Sequence, residues 1–238
     1  MKSLRTVRYS LVAAAVAGAA VVSTPAVAGV NASAGIASMY LWRGMDVGNG
    51  VPAVSGNLEY AAGSEALTGY AAVWGSSAGP TQEVDVYGGA RGVVGGFSYN
   101  AAYFTYNYPQ AKGVDSSEYA LTAGCGPTDA RCYDAREFYL SGGIAGVTLE
   151  AFIGTGEYGS GGDNKNNYFT LSYAYDKYSA KYGTWDLDSG VGEYSHLDVS
   201  YKASANLSFT VSKVVDDDDG EEDDALFVVS YSLPLEVK

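Results

Sequence analysis

The chain has 238 residues, with 14 Lys and Arg against 27 Asp and Glu, a formal net charge of −13. That balance argues against nucleic acid and anionic lipid surfaces as partners held through basic patches. The apolar residues are mainly Ala, Val and Tyr, with 31 Gly, 21 Tyr and 3 Met, a composition short of the Leu and Ile that fill a soluble interior and suited to a barrel with aromatic belts and closely approaching strands.

Lys2, Arg5 and Arg8 precede an apolar run from Leu11 to Val22, and Ala26, Val27 and Ala28 supply a small-x-small cleavage site before Gly29. Residues 1–28 therefore read as a cleaved secretory signal peptide, its apolar run too short and too Ala-rich for a membrane span. No later stretch approaches the roughly 20 apolar residues of a spanning helix. An exported chain of this kind is either soluble in the periplasm or a membrane β-barrel. Residues 29–238 show no linker or composition break, so they read as one domain.

Segments separated by Gly, Asn, Asp and Pro clusters predict strands over 31–42, 51–61, 66–76, 83–91, 96–107, 136–143, 146–156, 166–175, 178–187, 193–202, 205–215 and 225–234. The period of two is plainest near the C-terminus, where Leu197, Val199 and Tyr201 share one face and His196, Asp198, Ser200 and Lys202 the other. Connectors near 62–65, 92–95, 144, 176 and 203 are tight; those near 43–50, 77–82, 108–135, 157–165, 188–192 and 216–224 are longer or more polar. Short turns at one end, longer loops at the other and an even strand count mark an outer-membrane barrel. The fold class is all-β, an antiparallel transmembrane β-barrel of twelve strands. Pairing a strand at Glu118–Thr122 with one near Cys132 would give fourteen.

Alternation also assigns the faces. Val54, Gly56, Leu58 and Tyr60, then Val147, Leu149, Ala151 and Ile153, then Leu207, Phe209 and Val211 point to lipid. Ser55, Asn57, Glu59, Glu83, Asp85, Tyr87, Thr148, Glu150, Ser179, Lys181, His196, Asp198 and Lys202 line the lumen. Five carboxylates there face two lysines, giving a polar interior of negative potential that favours cations. The same charges also fit an interior salt-bridge network that closes a narrow barrel.

Outside that lining, four features invite a functional reading. Cys125 and Cys132 in an exported chain predict a disulfide that closes a small loop. The run Asp216, Asp217, Asp218, Asp219, Glu221, Glu222, Asp223 and Asp224 around one Gly is either a solvated loop or a loose Ca²⁺ or Mg²⁺ site that shares ions with lipopolysaccharide phosphates. His196 raises the question of hydrolysis, but Ser200 lies about 13 Å away along an extended strand, and no Gly-x-Ser-x-Gly elbow is present. His196 is therefore expected to be a lumen histidine, and the protein is expected to be no enzyme and to need no cofactor. Trp42, Trp74 and Trp185, with Tyr40, Tyr70, Tyr108 and Tyr182, fall near predicted strand ends and fit interfacial girdles or a sugar-stacking platform.

Several stretches together carry a family resemblance: Tyr40-Leu41-Trp42-Arg43-Gly44 followed by Pro52, Gly56 and Tyr60, then Gly69 to Ser76, Glu83 to Gly88, the Tyr-rich strand from Phe97 to Tyr106 closing in Tyr108 and Pro109, and the acidic hairpin before Phe227 to Ser230. In these the chain resembles the TorF-type porins, a conserved hypothetical family of Gram-negative bacteria. The resemblance implies a barrel in the cell outer membrane that passes small hydrophilic solutes or cations, with no catalytic residues to carry over. The chain departs from the pattern between Cys125 and Cys132, and it ends in Leu235, Glu236, Val237 and Lys238 instead of a terminal aromatic. A passive, cation-leaning diffusion channel is the function expected. The rival is a closed barrel whose loops contact lipopolysaccharide or partners.

Overall fold

The structure is a computed structural model that describes residues 28–78, 82–108, 135–155, 166–186, 193–217 and 224–237. Among these residues it is built of strands and turns, with no helix. The strands are β1 (Gly29–Ala37), β2 (Leu41–Trp42), β3 (Met45–Asp46), β4 (Ala53–Gly63), β5 (Thr68–Ser76), β6 (Glu83–Val94) and β7 (Phe97–Asn107), then β8 (Ala135–Ile144), β9 (Val147–Gly154), β10 (Asn167–Tyr175), β11 (Tyr178–Asp186), β12 (Tyr194–Lys202), β13 (Leu207–Asp217) and β14 (Leu226–Leu235). Twelve of them form one closed antiparallel barrel in the order β1-β14-β13-β12-β11-β10-β9-β8-β7-β6-β5-β4.

Turn chemistry explains the tight end. Ala145 and Gly146 (φ 52° and 85°) and Gly95 and Gly96 (φ 59° and 83°) are two-residue links with both residues left-handed, the conformation whose twist matches the flanking strands. Asp176 (φ 51°) opens the link to β11. At the seam, β1 pairs with β14 from Ala32↔Leu235 to Ala37↔Ser230, with Pro234 opposite Ser33. The seam runs on past β1, as Ser38 N donates to Val229 O at 2.9 Å and Val229 N to Ser38 Oγ at 3.0 Å.

The predicted first strand over 31–42 is corrected here. The wall strand stops at Ala37, and the chain turns into the bore as a β2–β3 hairpin, pairing Leu41 with Asp46 and Trp42 with Met45. Arg43 and Gly44 (φ 48° and 88°) form its tip. Asp46 shapes the return, its carboxylate oxygens accepting from Gly48 N at 2.9 Å and Gly50 N at 2.6 Å. Tyr40 and Leu41 are buried against Ala37, Ala53, Ala78 and Val228. What reads as a polar outer loop from 43 to 50 thus carries the plug of the barrel.

The two faces of the wall are inverted relative to a soluble protein. Outward aliphatics are bare, with Leu149 59% and Val54 56% exposed, while the charges Glu83 (2%) and Glu59 (6%) are inside. The predicted girdle is corrected too. Tyr40, Tyr70 and Trp185 are buried inside, and Trp42, Trp74 and Tyr108 pack against interior clusters. Only Tyr182 of that set faces outward; Tyr173, Tyr175, Tyr178 and Tyr201 share its exposure around the tight-turn end.

Candidate functional site

Side chains from the inner wall meet in three tiers. Nearest the tight turns, Arg91 on β6 donates to Glu59 on β4 through both terminal nitrogens, each at 2.7 Å. Its guanidinium lies 4.5 Å over the Tyr70 ring, and Tyr70 donates to Asn100 Oδ1 at 2.9 Å. Bidentate geometry of this kind suits a planar guanidinium.

The middle tier is polar. Glu150 accepts from Tyr139 at 2.8 Å and from Thr170 at 2.8 Å. Ser212 Oγ donates to Asp198 Oδ1 at 2.6 Å; the same oxygen lies 2.9 Å from His196 Nδ1. His196 Nε2 is 2.7 Å from the Tyr168 hydroxyl. The register between β12 and β13 shifts between Ser195 and His196, where β13 carries the extra residue Val215, and both Ser195 and His196 are buried. Ser200 bonds to Thr210 Oγ1 at 2.8 Å, so the serine and histidine are not assembled into a nucleophile and base. Lys181 stands opposite Asp198, and it, Glu150 and Lys202 are half-buried on the same inner face.

The third tier is the hairpin. Tyr40 donates to Glu83 Oε2 at 2.6 Å. Arg43 Nη2 donates to Glu137 Oε2 at 2.5 Å, and Tyr106 donates to the same oxygen at 2.9 Å. The guanidinium carbon lies 4.5 Å from the Trp42 ring, 4.8 Å from Phe152, and 4.6 Å from both Tyr168 and Trp185. Tyr194 pins the tip by donating to Arg43 O at 2.8 Å. A methyl on Gly44 would lie 2.5 Å from His196 Cγ, so the tip rests directly on the middle tier. Burial works against the charge on Arg43, but the Glu137 carboxylate together with Tyr106 and Tyr168 raises the guanidinium above its ordinary value. Burial, then the nearby Glu83, pushes the Tyr40 hydroxyl well up.

The bore is therefore packed in this structure, with Trp185, Tyr40, His196, Glu83, Thr210 and Ser212 the most deeply enclosed side chains. Eight barrel strands leave an interior that side chains alone can fill, while sixteen or more leave a channel. At twelve strands the extra space is taken by the hairpin and the aromatic residues around it. Glu59, Glu83, Asp85, His196 and Asp198 are all buried there. Sequence reasoning missed Arg91, Glu137 and Arg43. The first two were within its reach: Arg91 has the parity of Glu83 and Asp85, and Glu137 alternates with the outward Phe138. Asp216 and Asp224 are exposed at the strand ends. Residues 218–223, the Cys125–Cys132 pair and the predicted leader up to residue 27 lie outside the described residues.

No curated protein matches this chain in sequence. Over residues 22–132, the stretch that supplies β1 to β7, the hairpin, Glu59, Glu83, Asp85 and Arg91, it is similar to a family described as a bacterial protein of unknown function, Gcw_chp.

Proposed function

We propose that this protein is an outer-membrane barrel of the porin kind, a passive, cation-leaning channel held shut by its own β2–β3 hairpin. The observation that carries the proposal is the inverted wall, aliphatic outside and charged inside, closed on itself around an inserted loop. The likeness to the TorF-type porins supports it. Among the described residues six carboxylates, Glu59, Glu83, Asp85, Glu137, Glu150 and Asp198, line the interior, against Arg43, Arg91, Lys181 and Lys202. Withdrawal of the hairpin takes Arg43 with it and makes the bore more negative, which favours cations. The outer wall would meet membrane lipid and the loop end lipopolysaccharide. On this proposal the protein is no enzyme, and His196 serves as a link between Asp198 and Tyr168.

The test is single-channel recording of the refolded mature chain in planar bilayers, beside a variant whose residues 39–50 are replaced by a Gly/Ser linker. The wild type is expected to open rarely. The linker variant is expected to show long openings with a cation-biased reversal potential. A linker variant that keeps the heat-modifiable mobility of a folded barrel yet stays silent would favour the second reading, a closed structural or binding barrel, to which the packed aromatic interior points.

A further inference from the structure

We infer that the space filled by the Arg43 side chain is a recognition site for a small organic cation bearing a guanidinium or alkylammonium group, and that Arg43 is its built-in substitute. The inference rests on the proposal that the hairpin can leave the bore, and it names the solute class for that bore.

Most of the cage belongs to the wall. Phe152, Tyr168 and Trp185 come from the adjacent strands β9, β10 and β11, and Tyr168 is the direct cross-strand partner of both others. Their centroids are 5.8 Å and 6.0 Å apart, so the three rings form one curved face. Glu137, on β8, supplies the counter-charge and is oriented by Tyr106 on β7. Of the groups around the guanidinium, Trp42 alone sits on the hairpin. When the hairpin swings out, an aromatic face and a carboxylate remain, fixed in place by the ladder.

The present occupant fits this cage imperfectly. Arg43 Nη1 is buried with no hydrogen-bond partner. Its backbone sits at φ 48°, which a residue with a side chain rarely adopts. A free cation bears neither constraint and can turn to use every donor. Ring faces attract cations and repel anions, and they favour weakly hydrated ones. Sodium or magnesium would have to shed water to touch the rings, whereas guanidinium and methylated ammonium groups meet them readily. The acidic bore concentrates cations of either kind, so selectivity falls to the cage.

The test uses the refolded mature barrel in detergent, with the fluorescence of its 3 tryptophans as signal. Methylguanidinium chloride and tetramethylammonium chloride are titrated into wild type, Arg43→Ala and Arg43→Ala/Glu137→Gln, with sodium chloride at matched ionic strength as control. The expected result is a saturable change in Arg43→Ala, at least tenfold weaker in the wild type, where the arginine competes, and at least tenfold weaker in the double variant. If Arg43→Ala does not refold to a heat-modifiable band, Arg43→Gln keeps the hairpin's bulk and empties the charge site in the same way. A folded variant that gives no saturable change, or the same change with sodium, overturns the inference. Bilayer recordings of the same proteins separate the two ideas: binding without conductance removes the channel and leaves the cage, and conductance without binding removes the cage and leaves the channel.

Discussion

The Arg91–Glu59 pair offers a measurement that tests how the interior is held. Both side chains are enclosed, with 5% and 7% of their surface exposed, and the two hydrogen bonds are 2.7 Å each. Arg91→Met removes both and leaves the Glu59 carboxylate with only a 3.4 Å contact from Asn31 Nδ2 in the same tier. Removing one partner of a buried pair costs about 3–5 kcal/mol. Loss of the guanidinium above Tyr70 adds about 0.5–2 kcal/mol. A cost of about 4 kcal/mol lowers the folded-to-unfolded ratio roughly a thousandfold. Adding Glu59→Gln removes the stranded charge and should recover at least about 2 kcal/mol. Reversible urea unfolding into lipid vesicles, followed by tryptophan emission and by gel mobility of unboiled samples, gives all four corners of the cycle. If the double variant loses the sum of the two single losses to within about 0.5 kcal/mol, the two groups do not sense each other and the tier is not held by this pair.

Three further substitutions probe other parts of the molecule. In Gly183→Ala the new methyl would lie 2.4 Å from both His196 Nε2 and the Tyr168 hydroxyl, so the hydrogen bond between them should break at a cost of about 1–3 kcal/mol, with an altered near-ultraviolet circular dichroism spectrum. Ser212→Ala takes from Asp198 a donor at 2.6 Å and should cost about 1.5–3 kcal/mol in the same unfolding assay; a change below the error would show that Asp198 is satisfied without it. Leu171 lies outward at the middle of β10, and Leu171→Arg should lower stability in vesicles by about 2–4 kcal/mol, while unchanged folding would mean that this face does not meet hydrocarbon.

How much of this was legible follows from what each signal measures. Twelve wall strands could be read because alternation and turn residues repeat with a strict period, and the inward or outward sense of Glu59, Asp85 and Leu149 follows from parity alone. The hairpin could not, because Tyr40 and Trp42 continue the alternation of β1 and nothing local marks the inward turn. The best hint was a lone arginine between a tryptophan and a glycine, beside the Gly48, Asn49 and Gly50 turn. The aromatic girdle was misplaced for a different reason. Nearness to a strand end was weighed above parity, although Trp185 shares its face with Lys181 and should have been placed in the lumen with it. Whether the bore is packed or wet depends on which distant side chains meet across it, and one-dimensional patterning does not carry that.

The hairpin also sets an order of assembly. Its anchors lie far along the chain: Glu137 is 94 residues from Arg43 and Tyr194 is 151 residues away. During biogenesis the plug therefore has nowhere to dock until β8 to β12 stand beside one another and β14 has met β1. Contacts so remote in sequence form late, and until then the nascent cylinder must be hollow and hydrated. Expulsion of that water, with insertion of the arginine, is accordingly expected to follow closure of the wall.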